Sequence, residues 1–594
     1  MESKKTKIIS IVSLVALALT VVTATYAYFQ AQTGEGSQTD IKINANTVDT
    51  FTFETGSAMS LSLDQTSFAS GTGNITGSTY ASAKLTANNK TNTATEHYYL
   101  YLKIENNTFT YSINESTPEI IMTVTDSSGN EVTNISTLNH VIVTGANGAQ
   151  VSGYDITNKN GLITLFNNRE ITTTSSKEEK WNIKVTFVNY DASQNANAGK
   201  SMSAKVMIQK EKINLLADYV KSLYTGTQGN NGIYYHDANL TNGAGDNSYR
   251  YAGGDYVLTE AGKATGATMM IGYNNTVTTA LIDFYCNGTK QYVGHKCDAS
   301  QAHYYLIKGD TTHYQTYKET LNKAVEKGYL TKDNVKNFVC FGLTASPCPT
   351  ENLYRIIGVF GNNVKVIKWD YAKSSLLGTD GEFSTENSYY FSGEHGENPT
   401  SNSLYYWNNS TGTNTWSESN LNKINLNQNF VNNIGTEWAK KIATTTWKVG
   451  GNTRANIGTS VPATAYQNEV VHPVMTNTTD NKTEYTAKIG LMYVSDYYYA
   501  ASPSAWTLVG YNSSDATKDY RFSKGENWLY GGGWDWTISR RADYSDYAFG
   551  VYSDGSVRRN SVNYDSGVRP SFSLESSITY AGGSGTQSDP IIIG

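Results

Sequence analysis

The sequence is poor in charge. Of its 594 residues, only 16% are Asp, Glu, Lys or Arg, and the formal net charge is -6. Binding to nucleic acid needs a basic stripe or patch that neutralises phosphates, and the sequence contains no such patch. The composition therefore excludes nucleic acid as the main partner.

Proline is also scarce, with 9 residues, whereas the chain has 44 Tyr and 51 Gly. Together with abundant Asn, Thr and Ser, this is typical of a β-rich extracellular protein whose surfaces are polar but uncharged. So many aromatic residues argue against disorder throughout the chain. The length predicts about three or four domains.

Catalytic sequence motifs are absent as well, because no GxSxG, HExxH or P-loop pattern is present. Four acidic residues offer the paired carboxylates of glycosidase chemistry: Glu397, Asp535, Asp543 and Asp546. Asp543 and Asp546 lie beside Arg540 and Arg541 in the sequence. Surface ion pairing is the commoner meaning of such neighbours. We expect no enzyme activity and no catalytic residue.

A long apolar run stands at the N-terminus. A basic patch within Met1–Lys7 precedes the uncharged run from Ile8 to Ala24, which is the order of an export signal. The run is also long enough to stay in the membrane as one span. Small residues that end at Ala24 or at Ala27 fit a signal-peptidase site, which favours cleavage. Tyr26 and Phe29, in contrast, resemble an aromatic anchor at the membrane interface. We predict that residues 1–29 are a signal peptide or membrane anchor. The rest is then extracellular, at the cell surface or secreted, and the C-terminus carries no LPxTG-type wall signal.

The four cysteines fall in two close pairs, Cys286 with Cys297 and Cys340 with Cys348. Close pairs in an exported chain usually form disulfides. His295 and His303 beside the first pair offer a Cys/His metal site as the alternative, but the spacing matches no zinc pattern. We predict two disulfides, no metal and no cofactor.

A mostly β, multidomain fold is predicted, beginning with a β-sandwich domain over residues 30–210. Three segments alternate apolar and polar residues as half-buried strands do: Tyr98–Ile104, Ile120–Val124 and Trp181–Phe187. Short strands separated by Asn, Gly and Ser turns are typical of a β-sandwich.

This first third resembles the TasA and camelysin group of exported surface proteins of Gram-positive bacteria. The likeness rests on the Thr-Tyr-Ala-Tyr-Phe sequence at Thr25–Phe29, directly after the apolar run. The later Trp181–Phe187 stretch, with Asn195, Asn197 and Gly199, resembles the closing strands of related modules. The resemblance implies an extracellular β-sandwich of a fibre or matrix type.

The middle of the chain is predicted to hold two smaller segments. Residues 211–253 form a helical connector, with the helix over Ile213–Leu223, followed by a loop over Asn230–Gly254. Residues 254–337 form an inserted α+β module. Its predicted strands and helix are Met269–Tyr273, Ala280–Tyr285 and Tyr314–Lys327.

Residues 338–594 are predicted to form an α+β domain. An opening hairpin over Leu353–Trp369 is followed by a helical stretch over Leu421–Ile442, and a meander at Tyr547–Ser561 turns at Asp554-Gly555. The last strand is Val568–Leu574.

This order resembles the C-type-lectin-like fold, in the version shared with formylglycine-generating-enzyme relatives and the variable domains of retroelement-diversified proteins. The best motifs are Gly567–Pro570 and the tail Gly582–Pro590. The resemblance implies that irregular loops hold the binding surface. Formylglycine chemistry uses cysteine, and no cysteine follows Cys348. The calcium-binding lectin motifs are altered at Glu397–Pro399 and Trp534–Trp536, so no calcium is predicted.

The candidate binding site lies in the aromatic loops between Ser502 and Tyr544. The predicted ligand-binding residues are Trp506, Tyr511, Tyr520, Trp528 and Tyr530. Tyr and Trp give large, rigid contact areas with a polar tip, and an exposed cluster would indicate a partner. Trp534 and Trp536 are predicted to share one inward face of a strand.

Two functions from different classes follow. The first is an adhesin-like surface protein that recognises a glycan or protein on a host or bacterial surface through these loops. The alternative is a structural subunit of an extracellular fibre or biofilm matrix, which self-assembles through the N-terminal sandwich.

Overall fold

The computed structural model describes residues 49–594 apart from 65–66, 68–72, 89–90, 115, 136–137, 238–239, 241, 270–278, 292–296, 299, 346, 388–401, 476–481 and 513–517. The chain divides into two compact units between Ile213 and Asn214. Strands predominate in both, which confirms the mostly β, multidomain fold. The predicted signal or anchor at 1–29 lies outside the described residues. Within those residues, no helix is long and apolar enough to cross a membrane.

In the residues that the structure describes, the first unit contains ten strands. They are β1 (Thr50–Thr55), β2 (Met59–Ser62), β3 (Ile75–Thr86), β4 (Ala94–Asn107), β5 (Ile120–Asp126), β6 (His140–Thr144), β7 (Gln150–Asp155), β8 (Gly161–Thr173), β9 (Ser176–Phe187) and β10 (Ser201–Gln209). A short 3₁₀ turn at Asn195–Asn197 precedes the last strand. Strands β4, β5 and β9 confirm the three alternating segments predicted from the sequence.

These strands form two antiparallel sheets that share one core. The six-stranded sheet has the order β1-β3-β9-β5-β7-β6, and the four-stranded sheet has the order β2-β10-β4-β8. Leu102 from the smaller sheet and Ile183 from the larger one belong to the same buried cluster. Along β9, buried Trp181, Ile183 and Val185 alternate with exposed residues. This alternation is the reason for the sandwich, since each sheet has one apolar face to cover.

The second unit contains twenty-four strands in the part that the structure describes. They are β11 (Ile233–His236), β12 (Ser248–Tyr251), β13 (Val257–Leu258), β14 (Ile282–Cys286), β15 (Thr289–Gln291), β16 (His303–Ile307), β17 (His313–Tyr314), β18 (Leu330–Thr331), β19 (Phe338–Cys340), β20 (Leu353–Phe360), β21 (Asn363–Lys368), β22 (Phe383–Asn387), β23 (Asn402–Tyr406), β24 (Thr445–Lys448), β25 (Gly451–Asn452), β26 (Glu484–Ala487), β27 (Ile489–Gly490), β28 (Asp535–Arg541), β29 (Tyr547–Val551), β30 (Val557–Ser561), β31 (Asp565–Ser566), β32 (Ser571–Ser573), β33 (Tyr580–Gly582) and β34 (Ile592–Ile593).

Helices of this unit are short. The α-helical and π-helical segments are Leu216–Ser222, Glu260–Ala264, Tyr317–Glu326, Ser374–Leu377, Leu421–Phe430, Val431–Asn433, Thr436–Ala439, Arg454–Thr459, Pro462–Tyr466, Gln467–Val471 and Val494–Tyr499. The 3₁₀ turns are Asn230–Gly232, Thr350–Asn352, Pro503–Thr507 and Tyr520–Glu526. The predicted helical stretch at Leu421–Ile442 is confirmed, with a break at Gly435, whose φ of 84° favours glycine.

A seven-stranded antiparallel sheet holds the second unit together. Its order is β11-β12-β20-β21-β32-β27, with β19 also paired to β20. The predicted hairpin is therefore confirmed as β20 and β21, and the closing strand β32 pairs with β21. The sheet brings strands from both ends of the unit side by side.

The loop predicted over Asn230–Gly254 is wrong in part, because this segment supplies β11 and β12 to the sheet. Ile233 and Tyr251 face each other across the two strands and are buried in the main core. Ile and Tyr favour strands, and the Gly and Asn residues lie at the ends of these strands and between them. The predicted connector helix is present at Leu216–Ser222, and it packs on the same sheet.

Residues 257–331 form a smaller α+β layer with its own core. Strands β13 and β18 pair at its base, and a four-stranded sheet of order β15-β14-β16-β17 packs against the helix Tyr317–Glu326. The predicted helix and the strand at Ala280–Tyr285 are confirmed. The predicted strand at Met269–Tyr273 falls largely outside the described residues.

Both predicted disulfides are formed. Cys286 bonds Cys297 in the smaller α+β layer, and Cys340 bonds Cys348 between β19 and β20. The pairing leaves neither Cys286 nor Cys297 available as a metal-binding thiolate. His295 lies outside the described residues.

Candidate functional site

A cleft of about 660 Å³ opens beside a four-stranded sheet of the second unit. The sheet has the order β25-β28-β29-β30, and the helix Arg454–Thr459 lies against its edge strand β30. The lining residues are Arg454, Ile457, Gly458, Tyr511, Tyr547, Phe549, Val557, Arg558, Arg559, Asn560, Ser561, Asn563 and Tyr564. This volume lies within the range of small-ligand sites.

Local sequence explains how the walls of the cleft form. Thr453 caps the helix, since its side chain accepts a hydrogen bond from the Asn456 backbone N–H at 3.1 Å. The β29–β30 hairpin turns at Asp554 and Gly555, as predicted, and Gly555 has a φ of 80°. Asp554 also accepts from the Ser556 backbone N–H at 3.0 Å, which fixes the turn.

The floor of the cleft is apolar and its rim is cationic. Ile457, Phe549 and Val557 are fully buried beneath the opening. Phe549 is the cross-strand partner of Arg559, so both project from the same face of the hairpin. The cleft thus combines a rigid floor with arginines at its edge.

Three arginines face the cleft, Arg454, Arg558 and Arg559, and none of the lining residues that the structure describes is acidic. Arg558 forms an ion pair with Asp554, which lies outside the lining. Arg454 and Arg559 form no ion pair with any acidic residue that the structure describes. Among the described residues, two of the three arginines of the cleft therefore have no carboxylate partner, in a chain of net charge -6.

Tyrosine rings hold these guanidinium groups in place. The Cζ of Arg559 is 4.4 Å from the ring centre of Tyr547, and the Cζ of Arg558 is 4.7 Å from that of Tyr511. Such cation–π contacts orient Arg without removing its charge. Tyr564 extends into solvent at the rim, with 63% of its surface exposed. Its ring is free to stack on a bound molecule.

Acid–base neighbours just outside the cleft are already paired. The Arg541 guanidinium donates to Asp543 at 2.7 and 2.9 Å, and this hydrogen bonding lowers the pKa of Asp543. Asp535 is fully buried and paired with Arg569, and burial raises its pKa to about 6. Neither Asp535 nor Asp543 lines the cleft. Glu397, another acid singled out in the sequence, lies outside the described residues.

The predicted cluster of exposed aromatic residues does not form. Four of its five members, Trp506, Tyr520, Trp528 and Tyr530, are buried. Their polar tips donate to main-chain carbonyls, as when Trp528 Nε1 donates to Tyr251 at 2.9 Å. Tyr511 alone stays partly exposed, and it is also the one that lines the cleft. The loops turn inward because they fill the core of a unit that has few long helices.

The shared inward face predicted for Trp534 and Trp536 is also wrong. Trp536 is buried and its Nε1 donates to the Tyr405 carbonyl at 2.8 Å. Trp534 is 45% exposed. Strand β28 begins at Asp535 and is buried along its whole length, whereas Trp534 precedes the strand.

Sequence reasoning missed the arginines and the tyrosines of the hairpin. A usable signal was present, because Arg558 and Arg559 are consecutive in a chain that has little charge. Tyr547 on β29 and Tyr564 after β30 flank that pair in the fold. Arg454 gave no comparable signal, since only the fold brings its helix to β30.

Comparison with protein-family models and with curated proteins found no match to this chain. The resemblances to TasA-type surface proteins and to the lectin-like fold therefore stay predictions. The geometry of the cleft carries the functional proposal.

Proposed function

We propose that the protein is an exported, adhesin-like binding protein whose second unit recognises an acid-bearing glycan in the cleft. Residues 1–29 serve as the signal peptide or anchor, and the two disulfides support an oxidising, extracellular location. The observation that carries the proposal is the set of three arginines in a cleft whose described lining contains no acidic residue.

The chemistry of the lining favours a saccharide that carries carboxylate or sulfate groups. Arginine binds such planar or branched anions through several N–H donors at once. Tyr564 offers an exposed ring for stacking on a sugar, and Asn560, Ser561 and Asn563 offer hydrogen bonds to hydroxyls. An acidic protein surface would use the arginines but would not need this mixture of ring and amide groups.

The test is the binding of dextran sulfate compared with unsulfated dextran, measured by calorimetry on the exported chain. We expect binding of the sulfated polymer only. Arg559→Gln should weaken it at least tenfold, since truncating a central anchor removes on the order of 2 kcal/mol. Lys440→Gln removes one charge from an exposed side chain that does not line the cleft, and it should bind as the wild type does.

Three results would contradict parts of the proposal. Equal binding of both polymers would exclude charge as the basis of recognition. Unchanged binding by Arg559→Gln would place the site elsewhere. Competition by polyglutamate at equal charge concentration would identify the partner as an acidic protein surface.

The fibre-subunit alternative has one supporting observation in the first unit. Strand β6 is an edge of the six-stranded sheet, and Ile142 on it is 65% exposed. An edge strand with an apolar residue can pair with a strand of another copy. Concentration-dependent filaments in electron micrographs would support this function, and Ile142→Lys should abolish them. A stable monomer at all concentrations would contradict it.

A further inference from the structure

The second unit buries a lysine against a carboxylate. Lys365 lies on β21, and Asp496 lies in the first turn of the helix Val494–Tyr499. The Lys365 Nζ is 2.5 Å from the Asp496 Oδ2, and the two side chains are 8% and 3% exposed. The amine and the carboxyl carbon are therefore held together out of solvent.

Aromatic rings surround the amine. The Lys365 Nζ lies 4.4 Å from the ring centre of Tyr493, 5.4 Å from that of Trp447 and 5.8 Å from that of Phe360. Removal from water disfavours the ammonium form, and burial accordingly lowers the pKa of Lys365. A neutral lysine amine is a nucleophile.

A third titratable group, Glu469, is fully buried at the same place. Its Oε2 accepts from the backbone N–H of Ser495 at 3.1 Å, and its Oε1 accepts from the Asn452 Nδ2 at 3.3 Å. Its charge interacts with those of Lys365 and Asp496. Burial raises the pKa of Glu469 to about 7, so this carboxyl can hold and release a proton near neutrality.

We propose that Lys365 and Asp496 condense into an intramolecular amide bond. The Nζ attacks the Asp496 Cγ, the C–N bond forms and the Cγ–Oδ2 bond breaks. Oδ2 leaves as water with two protons that come from the ammonium group. Both protons pass directly from the Nζ to the Oδ2, with which it is in hydrogen-bond contact. An ammonium and a carboxylate thus become one neutral amide and one water.

The surrounding donors suit the intermediate of this reaction. The Arg250 Nη1 lies 4.0 Å from the Asp496 Oδ1, the oxygen that gains negative charge when the amine attacks. The Tyr493 backbone N–H donates to the Oδ2, the leaving oxygen, at 2.8 Å. A cation beside a developing oxyanion stabilises it in a dry site.

Condensation would also remove an electrostatic cost. A buried ion pair rarely recovers the desolvation of both ions. The amide carries no charge, and it would link two positions that lie 131 residues apart. The product is a covalent tie between the β20–β21 hairpin and the helix that begins at Val494.

The first test is mass spectrometry of the reduced and proteolysed wild-type chain. We expect one joined pair of peptides, containing Lys365 and Asp496, whose mass is lower than the sum of the two by one water. Finding the two peptides only in unlinked form, from folded protein, would overturn the proposal. This measurement needs no variant.

Variants then separate the bond from an ordinary ion pair. Lys365→Arg keeps the positive charge, and its peptides should all be unlinked. Lys368→Arg is the matched control, because Lys368 is buried on the same strand but donates to the main-chain carbonyl of Glu351. Its linked pair should persist, and loss of that pair would contradict the assignment to Lys365.

Two further variants probe the chemistry. Asp496→Asn should still form the bond, now with loss of ammonia, and an unlinked carboxamide at this position in folded protein would contradict amine attack at this carbon. Glu469→Gln should still form the linked pair, because the protons pass directly from the Nζ to the Oδ2. Absence of the linked pair in this folded variant would contradict direct transfer.

Discussion

Two aromatic sets of the second unit lie close in sequence and behave in opposite ways. The inner set is Trp506, Tyr520, Trp528 and Tyr530, and the outer set is Tyr511, Tyr547 and Tyr564. Inner rings are buried, and their N–H and O–H tips donate to main-chain carbonyls. Outer rings lie beside arginines or face solvent. The number of aromatic residues in a loop does not tell whether they pack in the core or bind a partner. What distinguishes the two sets is the group that each side chain contacts.

The largest effect that would test this comparison is the loss of an inner ring. Trp528→Ala should lower the free energy of unfolding by about 3–5 kcal/mol, because it empties a packed site and removes the ring beneath Arg355. Tyr564→Ala is the control from the outer set. It should change the free energy of unfolding by about 0.5 kcal/mol at most. Denaturant unfolding followed by Trp fluorescence measures both. Equal losses would break the distinction between the two sets.

A somewhat smaller effect is expected from the disulfide of the second unit that joins Cys340 to Cys348. Replacing Cys340 and Cys348 together by Ala should cost about 2–3 kcal/mol, the loop-closure entropy of so short a loop. Calorimetric melting of this variant and of Trp528→Ala shows which loses more stability, the chain without the disulfide or the chain without the packed ring. A larger loss from the cysteine variant would make packing of the inner set the minor contribution.

In the outer set, Tyr511→Ala should affect binding more than folding. Its ring supports Arg558 and Arg521 at 4.7 and 4.8 Å, so its removal takes one stabilising contact from the Arg558 guanidinium that faces the cleft. We expect about a fivefold weaker affinity for dextran sulfate, in line with a cation–π contact of about 1 kcal/mol. Isothermal titration calorimetry measures the affinity. Full affinity with a lowered melting temperature would move Tyr511 into the inner set.

The smallest expected effect is that of pH on binding. Arginine stays protonated across the whole accessible range, and the described lining contains no histidine or acid. Affinity for dextran sulfate should therefore stay within about twofold between about pH 5 and pH 9. A steep change in that interval would show that a titrating group outside the described lining takes part.

Sequence patterns predicted the framework well and the site poorly. Alternation predicted β4, β5 and β9, and cysteine spacing predicted both disulfides, because these are local properties. The burial of Trp528 is not a local property. Its ring contacts Arg355, and its Nε1 donates to the carbonyl of Tyr251, and both partners lie far from it in the sequence. The cleft likewise depends on a helix near residue 454 reaching a hairpin near residue 558, and no sequence period encodes that contact.

The pairing of β32 with β21 has a consequence for the order of folding. Lys365 aligns with Ser573, so the large sheet is incomplete until nearly the whole unit has been synthesised. Contacts between such distant positions slow folding, because the intervening chain must be closed first. Under the proposed export of an extended chain, β21 would lack this partner until β32 had crossed the membrane.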